Sequence, residues 1–275
     1  MRRRAWLGLI AAVAALSLGC KTAGAANTAL TPPTEATPMK PGWVLVWNDE
    51  FNGTAVDRSK WEYEVNGDGG GNNELQYYTD RAQNSFVSNG VLTIQAREEA
   101  YLGKRYTSAR MRTRFKGDWT YGYFEMRAKL PSGQGLWPAF WMLPTDGAYG
   151  GWPASGEIDI LELLGHDTRK AYGTLHFGTP PVGHQQSGGS MSLVPDVPSF
   201  ADGFHAFAVE WDALGMTWFV DGKQYFQTSH GTPFDKRFHI LLNVAVGGNW
   251  PGSPNALTTF PQSMVVDYVR VFQRL

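Results

Sequence analysis

The segment Gly156-Glu157-Ile158-Asp159-Ile160-Leu161-Glu162 sets three acids among bulky aliphatics. In a regular strand Glu157, Asp159 and Leu161 share one face, and Glu162 points into the opposite layer. A carboxylate buried there without a partner costs several kcal/mol or takes up a proton. One extra residue at Ile160 or Leu161, a β-bulge, returns Glu162 to the face of Glu157. Three acids then line one surface with no Lys or Arg between them. Their mutual repulsion raises at least one pKa, so a protonated acid can stand beside an ionised one near neutral pH. Glycoside hydrolysis needs such a pair: a nucleophile or base, and a proton donor to the leaving oxygen. The plainer alternative is a solvated strand face that happens to carry three acids.

The neighbourhood favours a groove over open surface. Trp137, Trp141 and Trp152 lie upstream of the acids and Trp250 lies far downstream, all near Gly-rich turns. Trp faces stack on the apolar faces of sugar rings. Core packing accounts for any single Trp, but four beside loops point to a cleft.

Strands must position these side chains. Short apolar segments broken by Gly, Pro, Asn and Asp predict strands near 44–47, 91–96, 123–129, 140–143, 158–162, 174–177, 207–211, 217–220, 240–244 and 265–272. The run Tyr123 to Leu130 alternates, which predicts one buried and one wet face. Val220-Asp221-Gly222-Lys223 carries the Asp-Gly signal of a two-residue hairpin. No stretch holds a capped helical stripe. Many short strands without helices predict an all-β sandwich or jelly roll, with residues 42–275 as one domain.

Upstream of that body, Arg2, Arg3 and Arg4 precede an apolar run from Ala5 to Leu18, then Gly19 and Cys20. The run is too short to cross a bilayer as a helix and suits a signal peptide. The chain has a single Cys. Its place behind a small residue resembles a bacterial lipoprotein signal, over residues 1–19, in which Cys20 is lipidated. Ordinary cleavage near Ala23-Gly24-Ala25 is the alternative. Residues 20–41 are rich in Ala, Thr and Pro and read as an extended linker. Either processing route predicts an exported protein, in the cell envelope or secreted. Membrane contact would then come only through the lipid anchor.

Composition excludes several classes. One Cys rules out a disulfide scaffold and a Cys-rich zinc site. The formal charge is -1 with no basic run in the body, which argues against nucleic acid. Removing residues 1–19 takes away three Arg and leaves 21 basic against 25 acidic residues, so a sulfated polysaccharide is a poorer partner. A zinc hydrolase lacks a paired-His motif, since His166 and His176 are ten residues apart. A monomer is the default expectation.

Several segments together resemble glycoside hydrolase family 16, in its laminarinase branch of endo-β-1,3-glucanases. They include Asn72-Asn73-Glu74-Leu75-Gln76-Tyr77-Tyr78-Thr79, Gly135-Leu136-Trp137-Pro138-Ala139-Phe140-Trp141, the carboxylate segment, and Asn243 through Gly252. The resemblance covers about residues 42–275. It implies a concanavalin A-like β-jelly-roll sandwich with a concave substrate cleft, and a retaining mechanism. Glu157 would be the nucleophile, Glu162 the acid/base, and Asp159 the group between them that tunes the nucleophile. Asn72, Arg110, Trp141, Trp152, His176 and Trp250 would contact sugar, with His176 near the acid/base. No cofactor is implied for catalysis. A structural calcium ion is implied, held by the Asp267 side chain and the carbonyls of Glu50 and Gly90. Hydrolysis or transfer on mixed-linkage glucan or an algal galactan, and glucan binding without catalysis, are the competing readings. Retention of Glu157 and Glu162 counts against the last.

Overall fold

The computed structural model describes residues 41–274. No α-helix occurs among them, and eighteen strands do. In chain order they are β1 (Trp43–Asp49), β2 (Glu62–Glu64), β3 (Gln76–Tyr78), β4 (Ser85–Ser88), β5 (Val91–Tyr101) and β6 (Lys104–Ser108). Then come β7 (Arg110–Arg112), β8 (Asp118–Trp119), β9 (Gly122–Lys129), β10 (Leu136–Pro144), β11 (Glu157–Leu163) and β12 (Lys170–Phe177). The last six are β13 (Gln185–Ser192), β14 (His205–Trp211), β15 (Gly215–Val220), β16 (Lys223–Ser229), β17 (Phe238–Val246) and β18 (Gln262–Arg274). The predicted signal peptide, Cys20 and nearly all of the linker lie outside the described residues.

The strands form the two sheets of a jelly-roll sandwich. One runs β16-β15-β14-β9-β18-β5-β6-β3, with β1 beside β18 and β4 beside β5. The other runs β13-β12-β11-β10-β17-β7-β2, with β8 beside β17. Pairing is antiparallel except between β3 and β6. The hydrophobic core fills the space between the sheets; Phe124, Phe140, Leu161, Trp211, Trp218 and Leu242 are all within 1% of complete burial.

The alternation of β10 decides what faces outward. Leu136, Phe140 and Met142 enter the core, and Trp137, Ala139, Trp141 and Leu143 line a cleft on the other face. All ten predicted strands are present, most of them longer than predicted. The Asp-Gly hairpin joins β15 to β16, with Asp221 at φ 49° and Gly222 at φ 72°, as a type I′ turn requires.

The predicted wet face of β9 is a correction. Tyr123 and Glu125 are buried. β9 lies centrally between β14 and β18, and Trp43, Ala208 and Phe272 form a second small apolar cluster around Tyr123. Glu125 is satisfied there by the hydroxyls of Tyr123 at 3.2 Å and Tyr268 at 2.9 Å.

Candidate active site

The three acids sit on β11, and the expected bulge is present. Against β12, Asp159 pairs with Thr174 and Glu162 with Tyr172, so three steps on β11 match two on β12. Against β10, Leu161 pairs with Phe140 and Asp159 with Trp141, which leaves Ile160 as the extra residue. Glu157, Asp159 and Glu162 therefore all line the cleft, while Ile158, Ile160 and Leu161 enter the core.

The bulge is braced from behind. The Trp218 indole N–H donates to the Asp159 carbonyl at 2.8 Å. Gly173, opposite the bulged stretch, makes room for that indole: a Cβ there would stand 2.4 Å from Trp218 Cδ1 and 2.5 Å from the Tyr225 hydroxyl. Gly173 is thus a close-approach position that admits no side chain without moving Trp218.

The cleft has a volume of about 1200 Å³. Its walls come from β2, β7, β10, β11, β12, β13 and β17, and from loops that include the one around Asn72. Trp137 Nε1 donates to Glu162 Oε1 at 3.0 Å, and Trp152 Nε1 donates to Glu157 Oε2 at 2.8 Å. Asp159 lies between the two glutamates and is 2% exposed. His176 Nε2 stands 3.1 Å from Asp159 Oδ2, but the approach is too oblique for a hydrogen bond, and that oxygen has no donor.

Burial and mutual repulsion raise all three pKa values. Glu157 is pushed up to about 8, first by burial and then by the Asp159 charge, against the opposing pull of His176 and the Trp152 N–H. Burial also raises Asp159. Glu162 is raised well above the usual range by burial and by the charges of Asp159 and Glu157. Glu157 and Glu162 keep part of their surface open to the cleft, so water moderates their desolvation more than that of Asp159. The cluster consequently holds protons at neutral pH, as a general acid requires.

All six expected sugar-contact residues line this cleft. Trp152 and Trp250 are 58% and 41% exposed, so their faces are available to a ligand. Trp250 packs edge-on to Trp137 and Tyr172. Trp141 donates to Asn243 Oδ1 at 2.7 Å. The Asn72 carbonyl accepts from the Asn249 N–H at 2.8 Å, which ties the two loops together. Arg110 is in the wall but buried. It pairs with Glu74 at 3.4 Å and Glu64 at 3.5 Å, and its guanidinium stands 5.3 Å from the centre of the Trp141 ring. His176 pairs across from Glu157 and faces Asp159, whereas the residue across from Glu162 is Tyr172.

Tyr172, Glu74, Asn243 and His184 also line the cleft. Period-two spacing from His176 along β12 could have found Tyr172. Nothing near His184 in sequence signals that its Nε2 lies 2.8 Å from His176 Nδ1.

The expected metal ligands lie in the other sheet. β5 pairs with β18 up to Val266↔Leu92, and β1 pairs with β18 up to Val269↔Asp49. Asp267 falls in the gap between them and is the extra residue of a bulge against β9. Glu50 follows β1 and Gly90 precedes β5, so the topology brings all three to one junction. Glu50's carboxylate is committed to Arg270 at 2.8 Å, leaving its carbonyl. Arg127 engages Asp267 Oδ2 at 2.7 Å. One carboxylate with two carbonyls suits a hard cation.

Residues 72–270 match the family model described as glycosyl hydrolases family 16. The chain belongs to this family. This family 16 chain is 42% identical over 292 residues to the "Beta-glucanase" of Rhodothermus marinus, covering 99% of this chain and 95% of that one. It is 40% identical over 269 residues to "Glucan endo-1,3-beta-glucosidase A1" of Niallia circulans, covering 87% of this chain but 39% of that longer protein. Among solved structures, the laminarinase from Rhodothermus marinus superposes with a TM-score of 0.79 at 45% identity, covering 85% of this chain and 98% of that one.

Proposed function

We propose that this chain is an endo-acting β-1,3-glucanase that retains configuration at the cleaved carbon. One observation carries the reading: the bulged β11 sets three carboxylates along a Trp-walled cleft. Family membership and relatives named as endo-1,3-β-glucosidases and laminarinases support the substrate.

In the first step Glu162 gives its proton to the glycosidic oxygen while the Glu157 carboxylate attacks the anomeric carbon. The carbon–oxygen bond breaks and a glycosyl ester forms on Glu157. Glu162, now ionised, takes a proton from water, whose oxygen attacks the same carbon and releases Glu157. The high pKa of Glu162 suits the donor role, and the Trp152 N–H favours the ionised form of Glu157. Asp159 takes the proton that Glu157 sheds before attack. Trp152 and Trp250 offer faces for sugar stacking.

The protein is read as exported and lipid-anchored through Cys20, on sequence alone. It is read as a monomer. Asp267 with the carbonyls of Glu50 and Gly90 would hold calcium, which would clamp β1, β5 and β18 together and contribute nothing to bond cleavage.

The deciding experiment is reducing-sugar release on laminarin, lichenan, xyloglucan, agarose and carrageenan. Strong release from laminarin is expected. Release only from a galactan or from mixed-linkage glucan would move the substrate, and binding of laminarin without release would make the chain a recognition module.

A further inference from the structure

Glu157, Asp159 and His176 bring one ligating atom each within 4.8 Å of the others. The pairing of β11 with β12 does this, because Glu157 lies opposite His176 and Asp159 opposite Thr174. A second observation points to a ligand there. Asp159 Oδ2 is buried and has no hydrogen-bond donor, yet His176 Nε2 stands only 3.1 Å away. The other ring nitrogen of His176 lies 2.8 Å from His184 Nε2. If the His176 Nδ1–H donates to His184, Nε2 carries a lone pair and stands 3.1 Å from the Asp159 oxygen, off its axis. Two lone pairs at that distance repel, unless a proton or a cation sits between them.

The spacing suits a metal ion. Bonds of about 2.0–2.1 Å at tetrahedral angles hold donor atoms about 3.4 Å apart. Asp159 and His176 are already near that value, and Glu157, at the cleft surface, reaches it by side-chain rotation. An imidazole that binds metal through one nitrogen is usually fixed by a hydrogen bond at the other, which is the part His184 plays. One imidazole and two carboxylates favour zinc over calcium. His184 is exposed beside Trp152 at the cleft surface, which leaves an access path.

We propose that Glu157, Asp159 and His176 form an inhibitory site for zinc, with His184 orienting His176. The ion occupies the place of the protons shared by the acids and ties up the attacking carboxylate. This site is separate from the calcium junction and goes beyond the hydrolytic reading.

The test is calorimetric titration of metal-free full-length protein with zinc chloride, which does not depend on activity. One micromolar site is expected in the unaltered protein. His176→Ala should weaken it by at least tenfold. His184→Ala, an exposed change that leaves the core untouched, should weaken it by about tenfold. An excess of calcium should not displace the zinc, and zinc should inhibit hydrolysis reversibly on chelation. Absence of binding below millimolar zinc, or equal affinity in the unaltered protein and His184→Ala, would overturn the proposal.

Discussion

Two groups of acids line the same cleft, and the protein treats them in opposite ways. At one end Glu64 and Glu74 pair with Arg110, and Glu62, outside the cleft wall, joins Glu64 on Arg112, in a ladder of ion pairs centred on β2 and β7. Glu74 is also held by Gln76 and the Tyr78 hydroxyl, at 2.6 and 3.0 Å. At the other end Glu157, Asp159 and Glu162 face Trp N–H groups and a histidine, and among the described residues no Lys or Arg forms an ion pair with them. Paired acids fix the shape of the wall. Unpaired acids keep protons they would otherwise lose, and so remain able to exchange them.

That contrast can be broken from either side. The largest effect is expected at Glu157. Glu157→Ala should lower turnover by more than about 10⁴-fold, and azide or formate should restore part of it by standing in for the carboxylate. Loss of activity without any rescue would remove Glu157 from the attacking role.

Arg110 comes next. Arg110→Met leaves buried Glu74 without its cation and should cost about 3–5 kcal/mol of stability, read as a fall in melting temperature of roughly 10 °C. A melting point within a degree of the parent would show that the ladder is not structural.

Glu162→Gln should act in the reverse sense on stability. It should lower kcat/KM on glucan by about 10²–10⁴-fold and spare substrates with good leaving groups. The folded state raises the pKa of Glu162, so it holds that proton more tightly than the unfolded chain does. Its contribution is complete below the ordinary pKa and is lost as pH rises. The substitution should therefore raise the melting temperature by about 2–4 °C or more at pH 8 and by little at pH 4. An equal change at both values would contradict the desolvated cluster. The smallest effect concerns the far sheet. Chelation should lower the melting temperature by a few degrees and leave activity at moderate temperature intact; an unchanged melt would remove the calcium proposal.

The three acids and the bulge were legible because they are local: seven consecutive residues state the problem and the fix. The sandwich was legible through ten apolar strands. Eight strands were not predicted: β4 and β6 are short, β16 is an edge strand with an exposed, polar face, and five others show the two main causes. β2, β3, β7 and β8 have three residues or fewer, too few for a period. β13, with the sequence Gln-Gln-Ser-Gly-Gly-Ser-Met-Ser, is a polar edge of its sheet and reads as loop. The pairing of Arg110 with Glu74, and of His184 with His176, joins residues from separate elements. No local pattern carries such contacts. The buried face of β9 was missed for a related reason: what covers Tyr123 is Trp43 and Phe272, from the two ends of the domain.

The bulge at Ile160 has a further consequence, one of parity. A sheet sorts residues by odd and even, and the extra residue makes an odd spacing behave as an even one. Deleting Ile160 would give Glu-Ile-Asp-Leu-Glu, a straight strand whose acids still share a face. The deletion would instead remove the step that lets the Asp159 carbonyl meet Trp218 over Gly173. Deleting Ile158 would break the parity itself and send Glu157 to the core. Two losses of one isoleucine, two positions apart, should therefore divide the roles of this strand: one disturbs what stands behind the acids, the other the acids themselves.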